Sequence, residues 1–315
     1  MPPYLLDRLG SPLNQAAQML ITRRTLGLSA ASLAACAMVA PTTRLASARR
    51  ETIIERTDLA QVFHDAGAMG CFAAFDGASD TFTLVGAERA VRRFVPASTF
   101  KITNALIALE TGVIADAREV IPYGGKPQPF KAWEKDMTIA EAIPASNVPV
   151  FQEIARRVGI ERYRTWLDKL DYGNGETGEV VDRFWLDGPL QISAMEQAVF
   201  LDRLARRELP VSRRVQDVTA AIIRLEESNG RILFGKTGWK TPGQPGVGAA
   251  IGSGTASDVG SVSGSGIGWW AGWVVRADRA GILAFALNND MADLVDAPKR
   301  LTIGKALLSK LGAWD

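Results

Sequence analysis

Strand-forming runs lie at both ends of this 315-residue chain, and helix-forming runs fill its middle. Two short apolar runs, 70–75 and 81–85, flank the turn Asp76-Gly77-Ala78-Ser79, the pattern of a β-hairpin with a short loop. Three more strand runs come late, at 231–236, 269–276 and 281–288. Between them, the spacing of Ile102, Leu106 and Leu109 predicts a helix over 99–111, with Gly112 as its stop. Further helical spacing falls at 139–143, 150–158, 162–170 and 194–207, followed by an amphipathic helix over 215–227 and a final helix over 298–311. Strands that come from both chain ends cannot be alternating βαβ units. The expected fold class is therefore α+β: a mixed α/β architecture whose antiparallel sheet is covered by helices and carries an inserted helical lobe.

The first 48 residues read as a targeting segment, leaving 49–315 as one catalytic domain. Arg23-Arg24 precede a mild apolar run from Leu26 to Ala40, and Ala46-Ser47-Ala48 supplies a small-residue cleavage site. The paired arginines suggest twin-arginine export to the periplasm, with ordinary secretion as the alternative route. The apolar run is too short and too diluted by Ala, Ser and Gly for a stable membrane span. Cys36 ends a lipoprotein-like box, a secondary reading because the residues after it stay apolar. Four of the 36 basic residues (Arg8, Arg23, Arg24, Arg44) and one of the 34 acidic ones (Asp7) precede the cleavage point, so processing takes the net charge from +2 to −1. No basic stripe remains to neutralise phosphates, which excludes nucleic acid as the expected partner and favours a small molecule.

Cleavage would leave Cys71 as the single thiol, so no internal disulfide can form. Cys71 sits in an apolar run and is expected to be a buried structural thiol. His64 is the one histidine, placed on a surface helix, which leaves little for a metal site or a Ser-His-Asp triad. Between Gly238 and Gly268 the chain is rich in Gly and Ser and reads as a flexible loop. It lacks the strand and helix that would frame a dinucleotide fingerprint.

The first chemical signal is Ser98-Thr99-Phe100-Lys101 at a helix start. Residues three apart on a helix share a face. A serine hydroxyl is a weak nucleophile until a base takes its proton, and a lysine serves once burial disfavours its charged form. Backbone N–H groups at the helix start can face a developing oxyanion, so the arrangement suits acyl transfer. By itself the tetrapeptide is a weak signal, since it occurs by chance in many chains and usually means an exposed capping serine. The second signal, Lys236-Thr237-Gly238, falls at the end of a strand run. Lys236 and Thr237 can bind a carboxylate and Gly238 lets a ligand approach the backbone, with a solvated strand end as the bland alternative.

The order of these signals resembles the penicillin-recognising serine enzymes, and from about Gly70 to the C-terminus the chain resembles the class D β-lactamases, the oxacillinases. Pro96-Ala97-Ser98-Thr99-Phe100-Lys101 resembles their nucleophile motif, Ser146-Asn147-Val148 their SxV element and Tyr172-Gly173-Asn174 their YGN element. Phe184-Trp185-Leu186-Asp187-Gly188 is similar to the loop whose tryptophan holds the catalytic lysine, and Trp269-Trp270-Ala271-Gly272-Trp273 to the strand after KTG. Class A enzymes carry SDN where this chain has SNV.

The resemblance implies a β-lactamase/transpeptidase-like fold and hydrolysis of β-lactams, penicillins first, with cephalosporins as an extension and carbapenems left open. Ser98 would be acylated. Lys101 would react with carbon dioxide or bicarbonate to give a carbamate that acts as base in both half-reactions. Trp185 would hydrogen-bond that group and Val148 would keep its surroundings dry. Ser146 would relay a proton toward the leaving nitrogen, with Lys236 supplying positive charge. The N–H groups of Ser98 and Trp239 would form an oxyanion hole, Thr237, Gly238 and Arg300 would bind substrate, and Tyr172 and Asn174 would support the site. No metal or organic cofactor is implied, and the chain would be a monomer or homodimer. Two rivals share the motifs: a D-alanyl-D-alanine peptidase and a β-lactam sensor acylated without turnover. The long 239–268 stretch departs from the family pattern and puts the substrate spectrum in doubt.

Overall fold

The structure is a computed structural model and describes residues 51–242, 266–276 and 281–314. The targeting segment with Cys36, and most of the Gly/Ser-rich stretch, lie outside the described residues.

Nine strands are described: β1 (Thr52–Glu55), β2 (Gly70–Asp76), β3 (Thr81–Val85), β4 (Val120–Ile121), β5 (Met137–Thr138), β6 (Arg224–Ser228), β7 (Arg231–Lys240), β8 (Ile267–Val275) and β9 (Ile282–Asp290). Seven form one sheet in the order β1-β3-β2-β9-β8-β7-β6, while β4 and β5 pair separately. All neighbours in the large sheet are antiparallel except β1, which runs parallel to β3. The last strand of the chain thus sits in the middle, joining the hairpin made by the first part of the chain to the one that follows the helices.

The α-helices described are α1 (Gln61–Asp65), α2 (Ala87–Ala90), α3 (Lys101–Glu110), α4 (Ile139–Ala142), α5 (Val148–Val158), α6 (Ile160–Leu170), α7 (Ala194–Arg206), α8 (Arg213–Ile222) and α9 (Ala297–Lys310). None is long and apolar enough to cross a membrane. Side chains alternate across the sheet. Cys71, Ala73, Trp269, Ala271 and Trp273 face the helical lobe, and Phe72, Ala74, Trp270 and Val274 face α9, where Ile303, Leu307 and Leu308 cover them. Strand β8 is buried on both faces as a result, each large apolar side chain contributing about 1.5–3 kcal/mol. The expected antiparallel sheet with an inserted helical lobe is the observed architecture.

Four local expectations change. The helix expected over 215–227 ends at Ile222, and 224–228 form strand β6. The two-residue turn Asn229-Gly230, both at positive φ (49° and 71°), folds β6 back on β7, and pairing with that strand overrides helical spacing. Strand β7 runs on past Lys236 to Lys240, and β8 begins at Ile267, because Trp239 pairs with Gly268 and Lys240 with Ile267. Lys236-Thr237-Gly238 is therefore strand interior, not a solvated end. Ser98 lies in a 3-10 turn, Ala97–Phe100, that leads into α3. Strand β1, from Thr52-Ile53-Ile54-Glu55, was not expected; its β-branched run is the signal, though all four residues are exposed at the sheet edge. Cys71 is fully buried, its thiol pushed up to about 12 by burial, and His64 is exposed on α1, both as expected.

Candidate active site

The turn that carries Ser98 lies against β7. An added Cβ on Gly238 would stand 3.0 Å from the Pro96 carbonyl oxygen and 3.2 Å from the Thr99 nitrogen, so a larger residue would push the two backbones apart by a few tenths of an ångström. Ser98 is 8% exposed and Lys101 0%. The Lys101 amine donates to Ser98 Oγ at 2.7 Å. Burial is the main force that brings the Lys101 pKa well below the usual lysine range, with the charge of Lys236 adding to it. No carboxylate pairs with Lys101 among the described residues. A buried amine without a counter-ion is held uncharged and can accept the Ser98 proton.

Ser146 lies at the turn before α5 with a positive φ of 51°. Sequence reading left open that it caps the helix, but Asn147 takes that position, its side chain accepting from the Val150 N–H at 3.0 Å. Ser146 Oγ is thereby free to accept from Lys236 Nζ at 3.1 Å. Lys236 also donates to the Thr237 carbonyl at 2.9 Å. Its pKa is brought down to about 7 by burial, with the charge of Arg300 as the second cause.

The β7 backbone supplies donors. The Gly235 N–H bonds to the Ile223 carbonyl at 2.9 Å, on the β6 side. In an antiparallel strand alternate residues point their N–H groups to the same edge, so Thr237 and Trp239 present theirs on that side too. The pairing with β6 ends at Phe234, which leaves this edge open beside Ser98. Thr237 is half-buried there. The Trp239 indole donates to the Met291 carbonyl at 3.3 Å. Arg300, in the first turn of α9, donates to the Ala297 carbonyl at 3.1 Å and to the Gly238 carbonyl. Burial lowers its pKa to about 10. Lys236 and Arg300 thus set two cationic side chains at this strand, a field suited to an anionic ligand, while Lys101 beside Ser98 is uncharged.

An aromatic cluster surrounds Phe100, the residue before the lysine. Trp185 is fully buried and stacks on Phe100 at a ring distance of 5.6 Å, with Phe184 and Tyr172 edge-on to Phe100. The Trp185 indole N–H has no hydrogen-bond partner among the described residues. The Tyr172 hydroxyl faces Thr103 and Thr99, and burial raises its pKa. Asn174 holds the 189–191 segment through its side chain, donating to the Pro189 carbonyl at 3.0 Å and accepting from the Gln191 N–H at 2.9 Å. Val148 opens α5 half-buried. The ring that lies over the Lys101 amine, at 5.6 Å, belongs to Phe151, one helical turn further on. Sequence reasoning missed Phe151, although its place beside Val150, Ile154, Ala155 and Val158 marks the buried face of α5.

Residues 76–309 match the family model described as the penicillin binding protein transpeptidase domain. The chain is 37% identical to β-lactamase OXA-5 of Pseudomonas aeruginosa over 84% of its length and 92% of that protein. It is also 37% identical to β-lactamase OXA-48 of Klebsiella pneumoniae, over 71% and 76% of the two chains. The regulatory protein BlaR1 of Bacillus licheniformis matches at 35% identity over 59% of this chain but only 31% of its own. Among solved structures, the class D β-lactamase FUS-1 (OXA-85) of Fusobacterium nucleatum subsp. polymorphum superposes with a TM-score of 0.73 at 35% identity, over 83% of this chain and all of that one.

Proposed function

The chain belongs to the class D serine β-lactamases, and from that premise we propose that it hydrolyses β-lactams through acylation of Ser98 with the Lys101 side chain as general base. The observation that carries this reading is the 2.7 Å contact between Ser98 Oγ and a lysine amine with no exposed surface.

The Lys101 side chain takes the Ser98 proton as Oγ attacks the ring carbonyl carbon. The carbonyl oxygen gathers negative charge between the N–H groups of Ser98 and Trp239. Collapse breaks the bond between carbonyl carbon and ring nitrogen, and the nitrogen takes the proton that the Lys101 side chain had accepted, passed through Ser146, which Lys236 contacts at 3.1 Å, so that Lys101 is again free to act as base. Lys236, Thr237 and Arg300 bind the substrate carboxylate. Water then attacks the ester, gives its proton to the Lys101 side chain, and Ser98 leaves as the hydroxyl.

The surroundings of Lys101 suit the carbamate that the family implies: the amine is held uncharged by burial, and the buried Trp185 indole N–H lacks an acceptor among the described residues. Formed from carbon dioxide on Lys101 and held by Trp185, that group would supply an anionic oxygen base for both half-reactions. We further propose that residues 1–48 direct export to the periplasm with cleavage after Ala48, which the N-terminal sequence of the secreted protein would test.

The test is hydrolysis of a penicillin and a chromogenic cephalosporin by the purified mature chain, with and without bicarbonate, followed by intact mass. Turnover that rises with bicarbonate, no adduct on Ser98→Ala and an accumulating adduct or no reaction on Lys101→Ala are expected. A permanent one-to-one adduct without turnover on the parent chain would overturn the hydrolytic reading in favour of a sensor or peptidase.

A further inference from the structure

The residue before the nucleophile, Ala97, has a φ of 50° and is fully buried. L-residues rarely adopt this left-handed region, because Cβ then crowds the following carbonyl, and they keep it only where the surroundings over-determine it. Three contacts fix the segment. The Trp269 indole N–H, buried on β8, donates to the Val95 carbonyl at 2.9 Å. Phe94 exchanges two backbone hydrogen bonds with Ile192, at 3.0 and 2.9 Å. Thr99 closes the turn from the other side, its hydroxyl donating to the Pro96 carbonyl at 2.7 Å. Trp269 also stands edge-on to Phe94 at 6.3 Å and pairs in register with Gly238, the glycine on which the turn rests.

We infer that Trp269 is a positioning residue for the nucleophile: its indole N–H, anchored on the central sheet, holds the Val95 carbonyl and thereby keeps Ala97 left-handed and Ser98 aimed at the open edge of β7. The bond spans 174 residues of sequence and links the sheet to the loop that the Ser98 helix hangs from. It acts on where Ser98 Oγ and its N–H point, and touches no reacting atom. The inference rests on Ser98 being the nucleophile.

Trp269→Phe keeps a buried aromatic ring and removes the N–H. In single-turnover acylation by a chromogenic cephalosporin, this variant is expected to slow acylation by about tenfold or more, the loss of one buried hydrogen bond to an oriented group. An acyl-boronic acid, which needs the aimed Ser98 Oγ and the oxyanion donors, should weaken by a similar factor. Deacylation should slow by a smaller factor than acylation, since the ester already holds Ser98 Oγ in place and only the oxyanion donor is misplaced. Trp273→Phe, the same change on the same strand, should leave all three constants near the parent values. Adding Ala97→Gly to Trp269→Phe should recover part of the acylation rate, because glycine holds the left-handed turn without the pin. Should Trp269→Phe fail to fold, 3-benzothienylalanine at 269 keeps the ring shape and lacks only the N–H.

Acylation within about twofold of the parent would overturn the inference. So would a loss that Trp273→Phe matches, or one that Ala97→Gly leaves untouched. A covalent adduct on Ser98→Ala would remove the nucleophile assignment itself, whereas a parent-like Trp269→Phe with an inert Ser98→Ala removes only the role of Trp269.

Discussion

Lys236 gives the fold a pH dependence that one substitution can test. An unfolded lysine keeps its proton to about pH 10.4, whereas in the folded chain burial and the Arg300 charge bring Lys236 down to about 7. Between those values the unfolded state binds more protons, so stability rises with pH across this window, by at most about 1.4 kcal/mol per unit, and this group adds no slope below it. Lys101 is lowered in the same direction and adds to the same trend. Lys236→Met should therefore flatten, without abolishing, the rise of the thermal midpoint from about pH 7 to about pH 10. An unchanged slope in the variant would show that Lys236 stays protonated in the folded state.

At the scale of elements, the loop that carries Trp185 is held by the turn that follows α6. Gly173, at a φ of 58°, lies so close to the 191 carbonyl that an added Cβ would sit 2.1 Å from the oxygen. Gly173 and Asn174 together dock 189–191, which Ile192 then ties to Phe94, two residues from the Pro96 turn. Gly173→Ala must break this docking or strain it, and about 2 kcal/mol or more of lost stability is expected. The thermal midpoint should fall by about 5 °C or more. Amide exchange should quicken over 184–192 before it does in α3, since local opening starts where docking is lost.

For the molecule as a whole, the end of the chain is pressed onto the middle of the sheet. Gly304 on α9 faces the Trp270 ring, where a Cβ would lie 2.3 Å from Cε3. Arg300 lies four residues earlier on the same helix and so on the same face. Gly304→Ala should push α9 off the sheet and carry Arg300 away from the Gly238 carbonyl. The expected result is a lower thermal midpoint together with a raised KM for substrates that bear the ring carboxylate, and a kcat that changes less. A fall in kcat with an unchanged KM would mean that Arg300 does not follow the helix.

What the sequence determined by itself was local or ordinal. The spacing of Ser98 and Lys101 puts the two side chains on one face of the turn, within reach of each other. The order of strand and helix runs fixed the α+β class and the inserted lobe, and the motif order indicated the family. Tertiary structure decided the rest. The helix expected over 215–227 gave way to β6 because a hairpin partner rewards pairing that spacing cannot foresee. Asn147, not Ser146, caps α5, which leaves Ser146 for Lys236 ninety residues away. Phe151 covers the lysine, and Trp269 reaches Val95 across the fold. Burial, strand register and long-range approach are properties of the surrounding atoms, so the pKa of a lysine or the aim of a serine exists only once the chain has closed around it.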